Sequence, residues 1–139
     1  MSNLSKFDLL VQAHPVLLRE LTPFRFSLPD GWIPIFSKMC QRIEAHCEGE
    51  GKEPIKIIAA KEKFAEMRVY FSGRFDEKIA NIFCQSTEIS RTTCQVCSGR
   101  SEIRVINGWM YGLCKIHIER IYAQQSTNTP LMADLVYLN

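Results

Sequence analysis

Cys94, Cys97, Cys114 and His117 stand as C-x2-C-x16-C-x2-H near the C-terminal end of the chain. Each pair sets two ligands close enough to grip one ion. The stretch between the pairs is long enough for a hairpin that brings them together. Three thiolates and an imidazole fill the tetrahedral shell that Zn²⁺ favours and leave no open position for water, so the spacing predicts a structural site rather than a catalytic one. An iron–sulfur or redox centre and unliganded thiols are the competing readings. Redox use requires an accessible thiol of low pKa, which C-x2-C alone does not establish. Zinc deaminases also carry C-x2-C, and His46-Cys47-Glu48 supplies the H-x-E they need. Thr93, however, replaces the proline expected before the first cysteine, and Cys114 and His117 would have no role.

Other reactive residues have plainer explanations. Cys40, Cys47 and Cys84 with His46 form a conceivable second cluster, but Cys40 and Cys47 share a helix face with Phe36 and Ile43 and are read as buried thiols. A cysteine nucleophile needs a histidine beside it, and neither His14 nor His46 has a flanking motif. Trp32 and Trp109 are read as packing residues, Trp109 bracing the zinc hairpin. Lys61, Lys63, Arg68, Tyr70 and Arg74 interleave positive charge with an aromatic ring. The plain reading is a solvated connection; the functional one is a surface for phosphate and base, or for an acidic protein. Arg100 and Arg104, with Arg91, Lys115 and Arg120, cluster in sequence around the zinc ligands. No phosphate-cradling glycine motif occurs.

The elements that must position these residues follow from periodicity. Leu4 to Leu21 has helical spacing interrupted by Pro15, and Thr22 to Asp30 reads as an extended connector. Asp30 is the expected N-cap of a helix from about Gly31 to Cys47. Strands are expected at 55–60 and 67–72, with Met67, Val69 and Phe71 on one face and Arg68 and Tyr70 on the other. Lys61 to Glu66 reads as the charged connection between them. A helix from Phe75 to Arg91 should point Ile79, Ile82, Phe83 and Ile89 inward. In the zinc segment, Cys94–Gly99 reads as a knuckle. Asn107-Gly108 is a hairpin turn, and a helix from Cys114 to about Gln124 carries His117. Knuckle, hairpin and helix form a treble-clef arrangement. The fold class is therefore α+β: helices around a small antiparallel hairpin sheet, with a C-terminal treble-clef or zinc-ribbon-like module. The divisions are an N-terminal helical extension (1–29), an α+β core (30–92), the zinc module (93–125) and a tail (126–139) expected to dock through its apolar residues.

The 139 residues are 46% hydrophobic and 23% charged, enough for one ordinary core. A formal charge of +2 does not by itself argue for nucleic acid. No apolar run approaches the ~20 residues that span a bilayer, and Met1 to Glu20 lacks the parts of a signal peptide. A cytoplasmic protein with reduced cysteines is the expectation, with no membrane partner.

Gly31-Trp-Ile-Pro, Lys61-Glu-Lys-Phe64, Met67-Arg-Val-Tyr70 and the zinc ligands around Gly108-Trp109 together form a further pattern. Over roughly residues 30 to 118 the chain resembles a group of small bacterial and phage proteins that share a G-W-x-P helix, a K-E-K-F-G-x-L-R-[FV]-Y hairpin and a C-terminal C-x2-C…C-x2-H. It departs at Ala65, where the group has glycine. The resemblance implies the architecture and transfers no catalytic residue.

Three functions are ranked on these grounds. The first is a non-enzymatic protein-interaction module: an inhibitor, immunity-type protein or adaptor. The second is a nucleic-acid-binding zinc protein. The third is an enzyme of unrecognised type, for which Glu62, His46 and Asp76 are the residues to test.

Overall fold

The structure, a computed structural model, describes residues 3–74 and 76–125. The expected tail from residue 126 lies outside the described residues. Among the described residues the fold is α+β, with four α-helices and two small sheets.

Helix α1 (Lys6–Ala13) opens on a capping box: the Ser5 hydroxyl accepts the Asp8 amide and the Asp8 carboxylate accepts the Ser5 amide. It stops at His14, because Pro15 disfavours helical backbone before it. His14 is buried, and its Nδ1 lies 2.5 Å from Glu44 Oε1, tying this corner to the next helix. The expected connector instead contains a two-residue strand, β1 (Phe26–Ser27), paired in parallel with β2. So short a strand has no alternation to reveal it.

Helix α2 (Ile33–Gly49) follows a 3-10 turn over Asp30–Trp32. Asp30 is not its N-cap. Trp32 holds that position without a side-chain cap, while Asp30 pairs with Lys6 Nζ at 2.6 Å. Strands β2 (Lys56–Lys63) and β3 (Glu66–Ser72) are antiparallel, with Lys61 opposite Arg68. The strands run further than expected, so the charged Lys61–Glu66 connection shrinks to a two-residue turn. Phe64 and Ala65 both have positive φ there, as a type I′ turn requires.

Helix α3 (Glu77–Arg91) is capped by Asp76, whose carboxylate accepts the Ile79 amide. It packs against α2 and covers the free edge of β3. Ser90 Oγ accepts the Met67 amide at 2.9 Å and Thr87 Oγ1 donates to the Met67 carbonyl at 3.1 Å, so helix hydroxyls satisfy the strand's outer edge. Ile79 and Ile82 face inward as expected, and Phe83 stacks on Phe71. Ile89 is exposed; buried Ser86 and Ser90 complete the inner stripe in its place.

Strands β4 (Glu102–Ile106) and β5 (Trp109–Leu113) form the second hairpin around Asn107-Gly108, both at positive φ. Helix α4 (Lys115–Gln125) follows. The main core gathers Leu10, Leu17, Leu18, Leu21 and Leu28 from the first thirty residues with the apolar faces of α2, β2, β3 and α3. A second, smaller core holds Cys94, Ile106, Tyr111, Leu113 and Ile121.

Candidate metal centre and binding surfaces

The two ligand pairs meet between the knuckle, the end of β5 and the first turn of α4. The donor atoms of Cys94, Cys97, Cys114 and His117 all lie within 4.8 Å of one another. His117 Nδ1 is 3.0 Å from Cys114 Sγ and 3.6 Å from Cys94 Sγ, and the Cys97 and Cys114 sulfurs are 3.7 Å apart. A tetrahedron of thiolates about 2.3 Å from its centre has edges of about 3.8 Å, so the cluster has the dimensions of a four-coordinate metal site. All six cysteines are free thiols.

Local chain geometry brings the donors into place. Ser98 at φ 70° turns the knuckle, with the Ser98 amide donating to the Cys94 carbonyl and the Cys94 amide to the Gly99 carbonyl. A Cβ on Gly99 would stand 3.3 Å from the Cys97 sulfur. Cys114 and His117 are three apart at the start of α4 and so share one face.

Burial raises the Cys94 thiol, opposed by the amides of Cys97, Cys114 and Val96 that donate to its sulfur. At Cys114 burial also pulls upward, but the His117 amide and the neighbouring thiols outweigh it and the net direction is down. Burial, helped by Arg120, lowers His117 and favours the neutral ring. A thiolate at Cys114 and a neutral imidazole are the forms a cation requires.

The knuckle is bolted to the start of α2. The Gly31 amide donates to the Gln95 carbonyl at 2.8 Å, Ser98 Oγ donates to the Gly31 carbonyl at 2.7 Å, and Trp32 Nε1–H donates to the Thr93 carbonyl at 2.9 Å. A Cβ on Gly31 would stand 2.0 Å from the Cys94 carbonyl oxygen, so only glycine fits. Gln95, also buried, accepts the Gly112 amide through Oε1 and donates its own amide to the Gly112 carbonyl, joining knuckle to β5. Trp32 is wholly buried, as expected of a packing residue. Trp109 is 43% exposed at the hairpin tip and does not brace the site from inside.

The seven residues expected to form a binding surface fall in three places. Lys61, Lys63, Arg68 and Tyr70 line one groove of about 440 Å³ on the outer face of β2–β3. Arg100 and Arg104 line another with Lys115 and Tyr122, where Arg104 pairs with Glu102 at 2.8 Å. Arg74 lines a third, described below. Arg91 is engaged by Glu66 and Glu88.

The first groove includes two residues that sequence reasoning missed, Phe24 and Arg25. Phe24 is 95% exposed. Its only sequence signal was an aromatic beside an arginine in a proline-bearing connector. Lys61 and Arg68 are direct cross-strand partners of like charge, an arrangement that disfavours the pair. Glu66 offsets part of that, lying 2.6 Å from Arg68 Nε.

Of the three residues named as possible catalytic groups, Glu62 is a residue of β2 that serves the turn. Its carboxylate accepts the Ala65 amide at 2.9 Å across the tight hairpin. His46 and Asp76 do come together, with Nε2 2.7 Å from Oδ2. Cys40 and Cys47 are buried and Cys84 is exposed; burial, with Glu44 adding, pushes the Cys40 thiol far up. Among the described residues no helix is long and apolar enough to cross a membrane. Comparison with family models, curated proteins and solved structures gives no match.

Proposed function

We propose that the chain is a zinc-stabilised, non-enzymatic binding module. Cys94, Cys97, Cys114 and His117 hold one structural Zn²⁺ in a treble-clef-like unit, and the outer face of β2–β3 engages an acidic partner protein. Three sulfurs and one imidazole nitrogen suit zinc better than the hard oxygen-loving cations, and a compartment that keeps thiols reduced suits the site. The motifs behind the resemblance to small bacterial and phage proteins support a scaffold role: Gly31 and Trp32 lock α2 to the knuckle, and Glu62 caps a hairpin. Such a scaffold suits an inhibitor, immunity-type or adaptor protein.

The observation that carries the reading is Lys61 set directly across from Arg68, beside the exposed rings of Phe24 and Tyr70. Two like charges opposed on a solvated face work against folding, and an acidic partner removes the penalty. Affinity capture with the wild type and with Phe24→Ala/Lys61→Glu, both checked for native circular dichroism, tests this. Acidic proteins retained by the wild type at low salt and lost by the variant are expected. Identical capture profiles would contradict it.

A second reading rests on Phe24 itself. An almost fully exposed ring among Arg25, Lys61 and Lys63 also suits base stacking with phosphate contacts. Saturable binding of a dT oligonucleotide of about 12 nucleotides, weakening steeply with salt and lost in the same variant, would replace the protein partner with single-stranded nucleic acid.

A further inference from the structure

A separate cleft of about 670 Å³ opens where the C-terminal end of α2, the loop before β2, the end of β3 and the start of α3 converge. It shares no lining residue with the cysteine cluster or with the β2–β3 groove. Its volume is that of a small-molecule site. Among its charged walls, Arg19 lies 3.7 Å from Glu53, Lys56 is 3.1 Å from Glu20, and Lys52 Nζ is 3.7 Å from Asp76 Oδ2. Among the described residues Arg74 has no carboxylate partner, although it lines the same cleft. Gly73, at φ 105°, makes the bend between β3 and Arg74 that a side-chain-bearing residue would resist.

His46 lines this cleft too. Its Nε2 is taken by Asp76, which is itself fixed by capping the Ile79 amide. That leaves Nδ1 for a ligand, as a donor when the ring is charged or as an acceptor when it is neutral. A phosphate group suits both cases, because it offers bare oxygens and, singly protonated, an O–H. A carboxylate offers only acceptors at neutral pH. Arg74 provides a planar fork for phosphate oxygens and Lys52 a mobile point charge. The N-terminus of α3 adds its positive end to the same side. The remaining wall is apolar, made by Pro54, Ile55 and Ile79, which suits the organic body of an ester better than a bare ion.

We propose that this cleft binds a small organic phosphate, with Arg74, Lys52 and His46 holding the phosphate group and Pro54, Ile55 and Ile79 its organic part. Asp76 acts as a positioning residue that orients the His46 ring. None of these residues belongs to the Cys94, Cys97, Cys114 and His117 cluster, so the site stands or falls independently of the zinc reading.

The test is an NMR titration of the full, metal-loaded chain at constant ionic strength with three probes: phenyl phosphate, inorganic phosphate and benzoate. Phenyl phosphate should produce saturable shifts at the His46 ring and at the Lys52 and Arg74 amides. Inorganic phosphate should bind more weakly, and benzoate should show no saturation up to roughly 10 mM. Arg74→Ala, at an exposed residue without an ion pair among the described residues, should retain the native spectrum and bind phenyl phosphate about tenfold more weakly. Lys52→Ala gives a second, equally exposed test of the same loss. Absence of saturation with phenyl phosphate, equal binding of benzoate, or unchanged affinity in both variants would overturn the proposal.

Discussion

Ala65 is a residue on which opposing terms nearly cancel. At φ 62° it adopts the left-handed conformation that costs a side-chain-bearing residue about 1–2 kcal/mol. It is also wholly buried, its methyl facing the Gly112 backbone, and one buried methyl contributes about 0.8 kcal/mol. Glycine would relieve the strain but lose the methyl and gain freedom in the unfolded chain. Ala65→Gly should therefore change stability by less than about 1 kcal/mol in urea unfolding. Ala65→Val, whose branched side chain resists positive φ, should lose about 2 kcal/mol or more. A large gain from glycine would show that strain dominates at this turn. Asp76 supplies a pH test. The hydrogen bond from His46 and the Ile79 amide hold its carboxyl down at about 2, against an ordinary 3.8. A depressed folded-state pKa stabilises above the unfolded value and loses that contribution as pH falls through the folded one. The stability advantage of the wild type over Asp76→Asn, which keeps the cap, should be full at about pH 5 and shrink toward pH 2. A difference independent of pH would mean the carboxylate charge contributes nothing.

The elements were unequally legible in the sequence. Helices α2 and α3 announced themselves because a one-sided apolar stripe over four turns has few alternatives. The Asn107-Gly108 hairpin was equally plain. By contrast, β1 exists because Phe26 packs between Phe7 and Phe36, a tertiary reason invisible in two residues of strand. Asp30 looked like a cap but answers to Lys6, and Ile89 looked buried but lies on the edge of the stripe where solvent reaches it. Gly31 and Trp32 are where elements are joined rather than formed. A methyl at Gly31 would overlap the knuckle backbone, and a clash with main chain cannot be relieved by a rotamer change. Gly31→Ala should cost about 3 kcal/mol and slow or weaken metal uptake, measured by thermal melting with and without added Zn²⁺. An unchanged melting temperature would mean that α2 and the knuckle are not coupled through this contact.

For the whole molecule, the clustering of Cys94, Cys97, Cys114 and His117 was readable because metal-ligand chemistry demands a fixed spacing. The surfaces were not, because exposed cations carry no periodic signal and separate stretches of sequence feed each groove. The seven candidate surface residues divide among three grooves, a division the sequence left open, and His46 and Asp76, thirty residues apart, become neighbours. The two apolar cores predict a staged response to metal removal. The smaller core has few large side chains and, on the zinc reading, relies on the bound ion, while the larger one gathers residues from Leu10 to Ile82. A chelator under reducing conditions should abolish amide protection in β4, β5 and α4 while leaving α2, β2 and β3 protected in hydrogen exchange. Uniform loss across the chain would show a single cooperative unit, and no loss would show that the C-terminal part stands without an ion.

The measurement closest to the central claim is native mass spectrometry of the purified, reduced 139-residue chain beside Cys97→Ser. Cys97 is exposed, so the substitution removes a ligand with little change to packing. The wild type should carry the mass of one bound zinc and the variant should carry none or lose it readily. A metal-free wild type with intact thiols and native circular dichroism, or a variant that holds zinc as firmly as the wild type, would contradict a structural Zn²⁺ at Cys94, Cys97, Cys114 and His117.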